Sequence, residues 1–199
     1  MSEIYLISLI VGIVAVFILI FWLGINIEDP VERAGKRGEE VATDIISRVL
    51  KDDDILLTNV KISFEGSRSE IDNLIINSHG VFIVEVKNYV GELVGGLDDY
   101  EWKKYKTTPG GDIYCKTVKN PIKQVKRQIY ILSHILKQHK LDVWVDGYVI
   151  LLEKNSPVDD DMILESLSDI DKAIHGLGSN HLSDREIDII TDILAGYKY

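Results

Sequence analysis

The chain has 199 residues, 46% of them hydrophobic and 27% charged, and carries a formal charge of −10. That charge excludes a protein that coats nucleic acid non-specifically, because phosphate binding draws on clustered Lys and Arg. Cys115 is the only cysteine, so no intrachain disulfide can form, which fits a reducing compartment.

From Ile4 to Leu23 the run IYLISLIVGIVAVFILIFWL holds twenty residues without a charge or a proline. At about 1.5 Å per residue a helix of that length spans roughly 30 Å of hydrocarbon, so residues 4–23 are expected to cross the lipid bilayer. A signal peptide would start with a basic region and end in small residues, whereas Glu3 precedes this run and Phe21 and Trp22 close it. Arg33, Lys36 and Arg37 lie just past the helix and no lysine or arginine precedes it, which predicts an N-terminus outside and a cytoplasmic soluble domain. Residues 1–27 thus read as a single-pass anchor, with Trp22 at the interface.

After a polar linker, Val41, Ile45 and Val49, with Ala42, Ile46 and Leu50, recur at helical spacing and predict an amphipathic helix over Gly35 to Leu50. Asp52, Asp53 and Asp54 end it, and the β-branched run Ile55 to Ser63 predicts a strand. Beyond a turn at Gly66 to Arg68, two β-rich runs flank Asn77-Ser78-His79-Gly80, a strong hairpin signal. Tyr89 to Asn120 has little period and reads as an elaborated loop or a small β-excursion. Asn120-Pro121 opens a helix running to about Gln138, and Trp144 to Leu152 reads as a buried strand. Past Ser156 the chain turns acidic, with Ser183 and Glu186 forming a capping box before a terminal helix. The expected organisation is therefore a three-layer α/β domain over residues 28–155 and an acidic helical extension over 156–199.

Strand parity makes the hairpin chemically interesting. Asp72, Leu74 and Ile76 share one face of its first strand, and Ile83, Glu85 and Lys87 one face of its second. A two-residue loop at Ser78-His79 pairs Asn77 with Gly80 and, counting back, opposes Asp72 to Glu85. Opposed carboxylates repel unless something neutralises them, and a hard divalent ion such as Mg²⁺ or Mn²⁺ suits an oxygen pair, with water and substrate phosphate completing its shell. Lys87 points at the same patch and could orient a water or stabilise developing phosphoryl charge. The alternative is an exposed face with a weak Glu–Lys surface pair.

Between Lys103 and Arg127 eight cations face one acid, Asp112, so this stretch is +7 in an acidic chain. Lys103, Lys104, Lys119, Lys123, Lys126 and Arg127, interleaved with Trp102 and Tyr105, form a candidate nucleic-acid contact or a solvated loop. His134 and His139 stand five apart, not at the i, i+4 spacing of a zinc pair, and His175 and His181 lie in a polar segment, so solvated histidines are expected. Gly91, Gly95 and Gly96 lack the strand-to-helix setting of a phosphate loop and are expected to serve turns.

Asp72, a twelve-residue interval and then Glu85-Val86-Lys87 resemble the D…(D/E)xK core of the restriction-endonuclease-like superfamily. More closely, GKRGEEVATDII (Gly35 to Ile46), EIDNLIINSHGVFIVEVKNYVGELVG (Glu70 to Gly95) and NPIKQVKRQI (Asn120 to Ile129) resemble the nuclease-related domain, NERD. The resemblance implies a mixed sheet flanked by helices and a membrane-anchored, metal-dependent nuclease that hydrolyses phosphodiester bonds, with DNA the expected partner. It also implies that Glu39, with Glu40 as a possible substitute, completes the acidic set of Asp72 and Glu85, and that Gln124 contacts substrate or the attacking water. Read without it, Glu39 is a carboxylate complementing a helix N-terminus and Gln124 a glutamine on an exposed helix face. Ile71 replaces the proline that often precedes the first acid in the superfamily. A non-catalytic membrane-tethered module binding nucleic acid or protein is the alternative, and either is compatible with a homo-oligomer.

Overall fold

The β-branched stretches pair into one five-stranded sheet in the computed structural model, which describes residues 5, 41, 43–176 and 181–197. The expected transmembrane helix falls, apart from Tyr5, outside the described residues; among those described, no helix is long and apolar enough to cross a membrane. The chain divides into two compact units, Met1–Lys36 and Arg37–Tyr199, and both sheets belong to the second.

Of the first predicted helix, residues 41 and 43–47 are helical, and it ends in a turn at residues 48–49. Strands β1 (Ile55–Phe64), β2 (Ser67–Asn77) and β3 (Gly80–Lys87) follow, then the short strands β4 (Glu92–Val94), β5 (Glu101–Thr107) and β6 (Ile113–Lys119). Helix α1 (Pro121–Gln138) leads into β7 (Val145–Leu151) and β8 (Ile163–Leu164), and the chain closes with α2 (Leu167–His175) and α3 (Asp184–Ala195). The main sheet has the order β1-β2-β3-β7-β8. Its first three strands are antiparallel, while β3, β7 and β8 are parallel, so the sheet is mixed. Parallel neighbours need a crossover. Between β3 and β7 it is made by the excursion, an antiparallel sheet of β4, β5 and β6, followed by α1.

Alternation along β2 and β3 sorts their side chains into two cores. Leu74, Ile76, Val81 and Ile83 pack with Val125, Leu132 and Ile135 of α1 and with Ile190 and Leu194 of α3. Ile75, Phe82 and Val84 pack with Ile46 and with Ile170 and Ile174 of α2. Gly147 lets α1 approach β7 closely, because a Cβ there would lie 2.3 Å from Val125 Cγ1 and 2.9 Å from Ile129 Cδ1. At the head of α1, Asn120 accepts from Ile122 N at 2.9 Å and donates to the Asp99 and Leu97 carbonyls at 2.8 and 3.2 Å. Trp102 is fully buried against Gly95, its Nε1 donating to the Gly96 carbonyl at 3.0 Å. These bonds tie the small sheet to the helix that carries the cleft.

One departure from strict alternation sits beside the candidate acids. Thr58 pairs with Asn73 and Val60 with Ile71, but Asn59, with φ of 55°, and Asp72 drop out of the ladder. Asn tolerates that left-handed conformation better than most residues. The pair Leu57 and Leu74 lies on one side of the break and the pair Val60 and Ile71 on the other, yet all four join one core. A regular strand would have put the two pairs on opposite faces. Asp72 is thus placed where the sheet kinks.

The segment beyond Ser156 is integrated with the fold. It supplies the edge strand β8, the predicted Ser183–Glu186 capping box at α3, and α2, which the polar sequence concealed. The expectation of a solvated His175 is corrected here. Its side chain is 5% exposed, with Nε2 2.8 Å from Asp54 Oδ2 and Nδ1 2.7 Å from Asp171 Oδ1. Two apolar residues of α2, Ile170 and Ile174, dock the helix and turn His175 inward. Asn77 also donates to Asp54 at 2.8 Å. Burial pushes the Asp54 carboxyl up, but hydrogen bonds from Lys51 N, His175 and Asn77 outweigh it and hold the group below its ordinary value. A depressed carboxyl contributes stability above its unfolded pKa and loses it as pH falls through the folded value. Asp54→Asn is therefore expected to cost about 1–3 kcal/mol at neutral pH, and the difference from wild type should narrow in urea unfolding below about pH 4.

Candidate active site

The hairpin forms with the expected two-residue loop: Asn77 pairs with Gly80, and the ladder continues through Leu74↔Ile83 to Asn73↔Val84. The ladder ends there, with Asp72 and Glu85 the next residue of each strand, and the Asp72 charge is felt at Lys87. Glu85 is fully buried. Its Oε1 is bonded to Lys87 Nζ and its Oε2 accepts from Gln128 Nε2 at 2.9 Å. The reading of Glu85 and Lys87 as a weak exposed pair is therefore excluded, since one partner is 0% and the other 22% exposed.

Burial pushes the Lys87 ammonium down, but the Glu85 carboxylate, with Asp72 and Tyr89 adding smaller pulls, outweighs it and holds Lys87 above the ordinary lysine value. Lys87 is thus a cation at neutral pH and no candidate for a general base. It can neutralise charge on an approaching anion.

Asp72 is half-buried and lines a cleft of about 700 Å³ with Asn59, Arg68, Glu70, Tyr100, Lys119, Lys123, Gln124 and Arg127. Of the sequence-predicted set, the structure brings Asp72, Glu85 and Lys87 together and puts Gln124, Lys119, Lys123 and Arg127 along the adjoining cleft. Lys123 also bonds Asp98 at 3.0 Å, though Asp98 is 96% exposed and the pair is a weak one. Glu39 lies outside the described residues. Lys126 is exposed on α1 and is not part of the cleft lining. Lys103 and Lys104 are neighbours on β5 and so occupy opposite faces of the small sheet.

Sequence reasoning missed Gln128, which is fully buried. Its amide nitrogen bridges Glu85 Oε2 and the Glu70 carbonyl, the latter at 2.8 Å, while its Oε1 has no hydrogen-bond partner among the described residues. The available signal was its position: Val125, Gln128, Leu132 and Ile135 fall at spacings of three and four on the buried stripe of α1. A polar residue on such a stripe needs a partner.

The carboxylates suit a hard cation: Asp72 and Glu85 offer oxygens, and Mg²⁺ is commonly held by one or two carboxylates with water and substrate phosphate. Among the described residues no group of three or more His, Cys, Asp or Glu converges to hold a metal without such help.

A mixed sheet whose hairpin brings an acid near an ExK triplet is the arrangement of restriction-endonuclease-like proteins. The chain belongs to the nuclease-related domain family, NERD, whose model matches residues 34–152. It is also similar to a Bacillus anthracis protein described only as uncharacterized, with 30% identity over 105 residues, 52% of this chain and 47% of that protein. The chain thus matches about half the length of this relative. No solved structure matches it.

Replacing Gln128 by Glu would set a second carboxylate against Glu85 where the amide now sits at 2.9 Å. Two carboxyls that close cannot both ionise freely, so one folded-state pKa rises above its unfolded value. Stability is then present at low pH and lost as pH rises. Gln128→Glu should lose more stability relative to wild type at pH 8 than at pH 5 by urea unfolding.

Proposed function

We propose that this chain is a membrane-anchored, divalent-metal-dependent nuclease that hydrolyses phosphodiester bonds, with DNA as its substrate. The observation that carries the reading is a fully buried glutamate on the hairpin, paired with a Lys87 that also feels Asp72, beside a cleft that Asp72 lines with Arg68, Lys119, Lys123 and Arg127. The family's nuclease-like character supports it.

Asp72 and Glu85 would hold Mg²⁺ or Mn²⁺, with Glu39 as the third carboxylate that the family pattern implies. When bound, the ion supplies charge neutralisation at the phosphate and a more acidic water. Lys87 stabilises negative charge developing on the phosphoryl oxygens, a role its persistent protonation suits. Gln128 holds Glu85 in place through Oε2, and Gln124 orients substrate in the cleft. Arg68, Lys119, Lys123 and Arg127 meet the flanking phosphates. The apolar run at residues 4–23 anchors the chain, and the cations that follow it place the catalytic domain on the cytoplasmic side.

One observation favours a non-catalytic binding module instead: both carboxylate oxygens of Glu85 are already engaged, by Lys87 and by Gln128. The assay that separates the readings uses the full chain in detergent with single- and double-stranded DNA and RNA, in Mg²⁺, Mn²⁺ or EDTA. The nuclease reading expects cleavage of DNA that EDTA abolishes and that Glu85→Ala lowers by on the order of 10²-fold or more. Well-folded protein that cuts nothing under any of these conditions supports the binding module.

A further inference from the structure

The small sheet has one face that the cleft does not use. Its β5–β6 register pairs Trp102 with Val118, Lys104 with Lys116 and Lys106 with Tyr114, and alternation puts all six on one side. Trp102 lies in the core with Val118 packed against that core, so this face turns from the core into solvent as it runs outward. The acids of the three strands, Glu92 and Glu101, stand on the other side, at the positions of Tyr105 and Lys119. Directly opposed like charges such as Lys104 and Lys116 are unfavourable on a sheet. Among the described residues none of the three lysines has an ion-pair partner. Burial pushes the Lys104 ammonium down, and Lys116 and Lys106 push it the same way.

The face also reaches the candidate active site. Lys104 Nζ lies 5.7 Å from the centroid of the Tyr89 ring. Tyr89 is two residues beyond Lys87, and its phenol, pushed up chiefly by burial, also feels both Lys87 and Glu85. Tyr114, 55% exposed, stands opposite Lys106 with its ring available to solvent.

We propose that this face is a platform for a single-stranded stretch of nucleic acid leading to the hairpin, with Lys104, Lys106 and Lys116 on its phosphates and Tyr114 beneath a base. The proposal rests on the nuclease reading and gives its substrate a single-stranded segment outside the cleft. Positive charge interleaved with exposed aromatics is the common means of holding single strands without sequence preference. An anionic membrane would satisfy the lysines and Tyr114, but it would not call for a face that runs to Tyr89 and Lys87.

The test is the binding of a labelled single-stranded oligonucleotide to the full chain in EDTA over a series of salt concentrations. Changing Lys104, Lys106 and Lys116 together to Gln should make the plot of log affinity against log salt shallower by about 2, at roughly 0.7 per phosphate contact. Tyr114→Ala should weaken binding about tenfold. A salt slope unchanged by the triple substitution, in protein whose slope does fall in Lys123→Gln/Arg127→Gln, overturns the platform and leaves the nucleic-acid reading standing. Oligonucleotide binding that neither set alters overturns both. Blunt duplex bound as tightly as single strand likewise overturns the assignment.

Discussion

A carboxylate taken wholly out of water costs several kcal/mol unless charge and hydrogen bonds replace its hydration. Glu85 meets that demand with Lys87 on Oε1 and Gln128 on Oε2, and the rest of the site depends on how those two are held. Lys87 comes from the same strand, so the period of two brings it to the same face. Gln128 comes from α1, which approaches the sheet because Gly147 leaves room for Val125 and Ile129. The head of α1 is capped by Asn120, whose amide also binds the turn before β5. The helix, the small sheet and the buried glutamate are thus one mechanical unit.

The charge pattern follows the same geometry. An acidic chain sets four cations, Arg68, Lys119, Lys123 and Arg127, among the carboxylates of one cleft and three lysines on one sheet face, and both surfaces reach the hairpin, the first at Asp72 and the second through Tyr89. Such local concentration of one sign attracts a polyanion whatever the net charge, as local fields act over about a Debye length. The kink at Asn59 adds to this by setting Asp72 beside the cleft.

Much of this was legible in the sequence, for identifiable reasons. The hairpin register could be counted because a two-residue turn leaves one way to pair Asn77 with Gly80 and because side chains alternate strictly along β3. The boundaries of α1 followed from Asn120-Pro121, and the cap of α3 from Ser183 and Glu186. The kink was not legible, since it depends on Asn59 adopting a left-handed conformation that its type permits without requiring. Helix α2 and its buried His175 were hidden because nine mostly polar residues carry too short a pattern. Gln124 and Gln128 are one turn apart on α1, and only the sheet beneath decides which of them meets Glu85. The separation of Lys103 from Lys104 required β5 to be recognised as a strand.

Asp72 and Glu85 are proposed to form a divalent-cation site together on the hairpin. Anomalous diffraction at the manganese edge, from crystals of the protein grown with Mn²⁺, tests it most directly. One strong peak bonded to oxygens of both Asp72 and Glu85, lost in Asp72→Asn, is expected. Saturating Mn²⁺ that leaves this position without a peak, with Glu85 still held between Lys87 and Gln128, would contradict it.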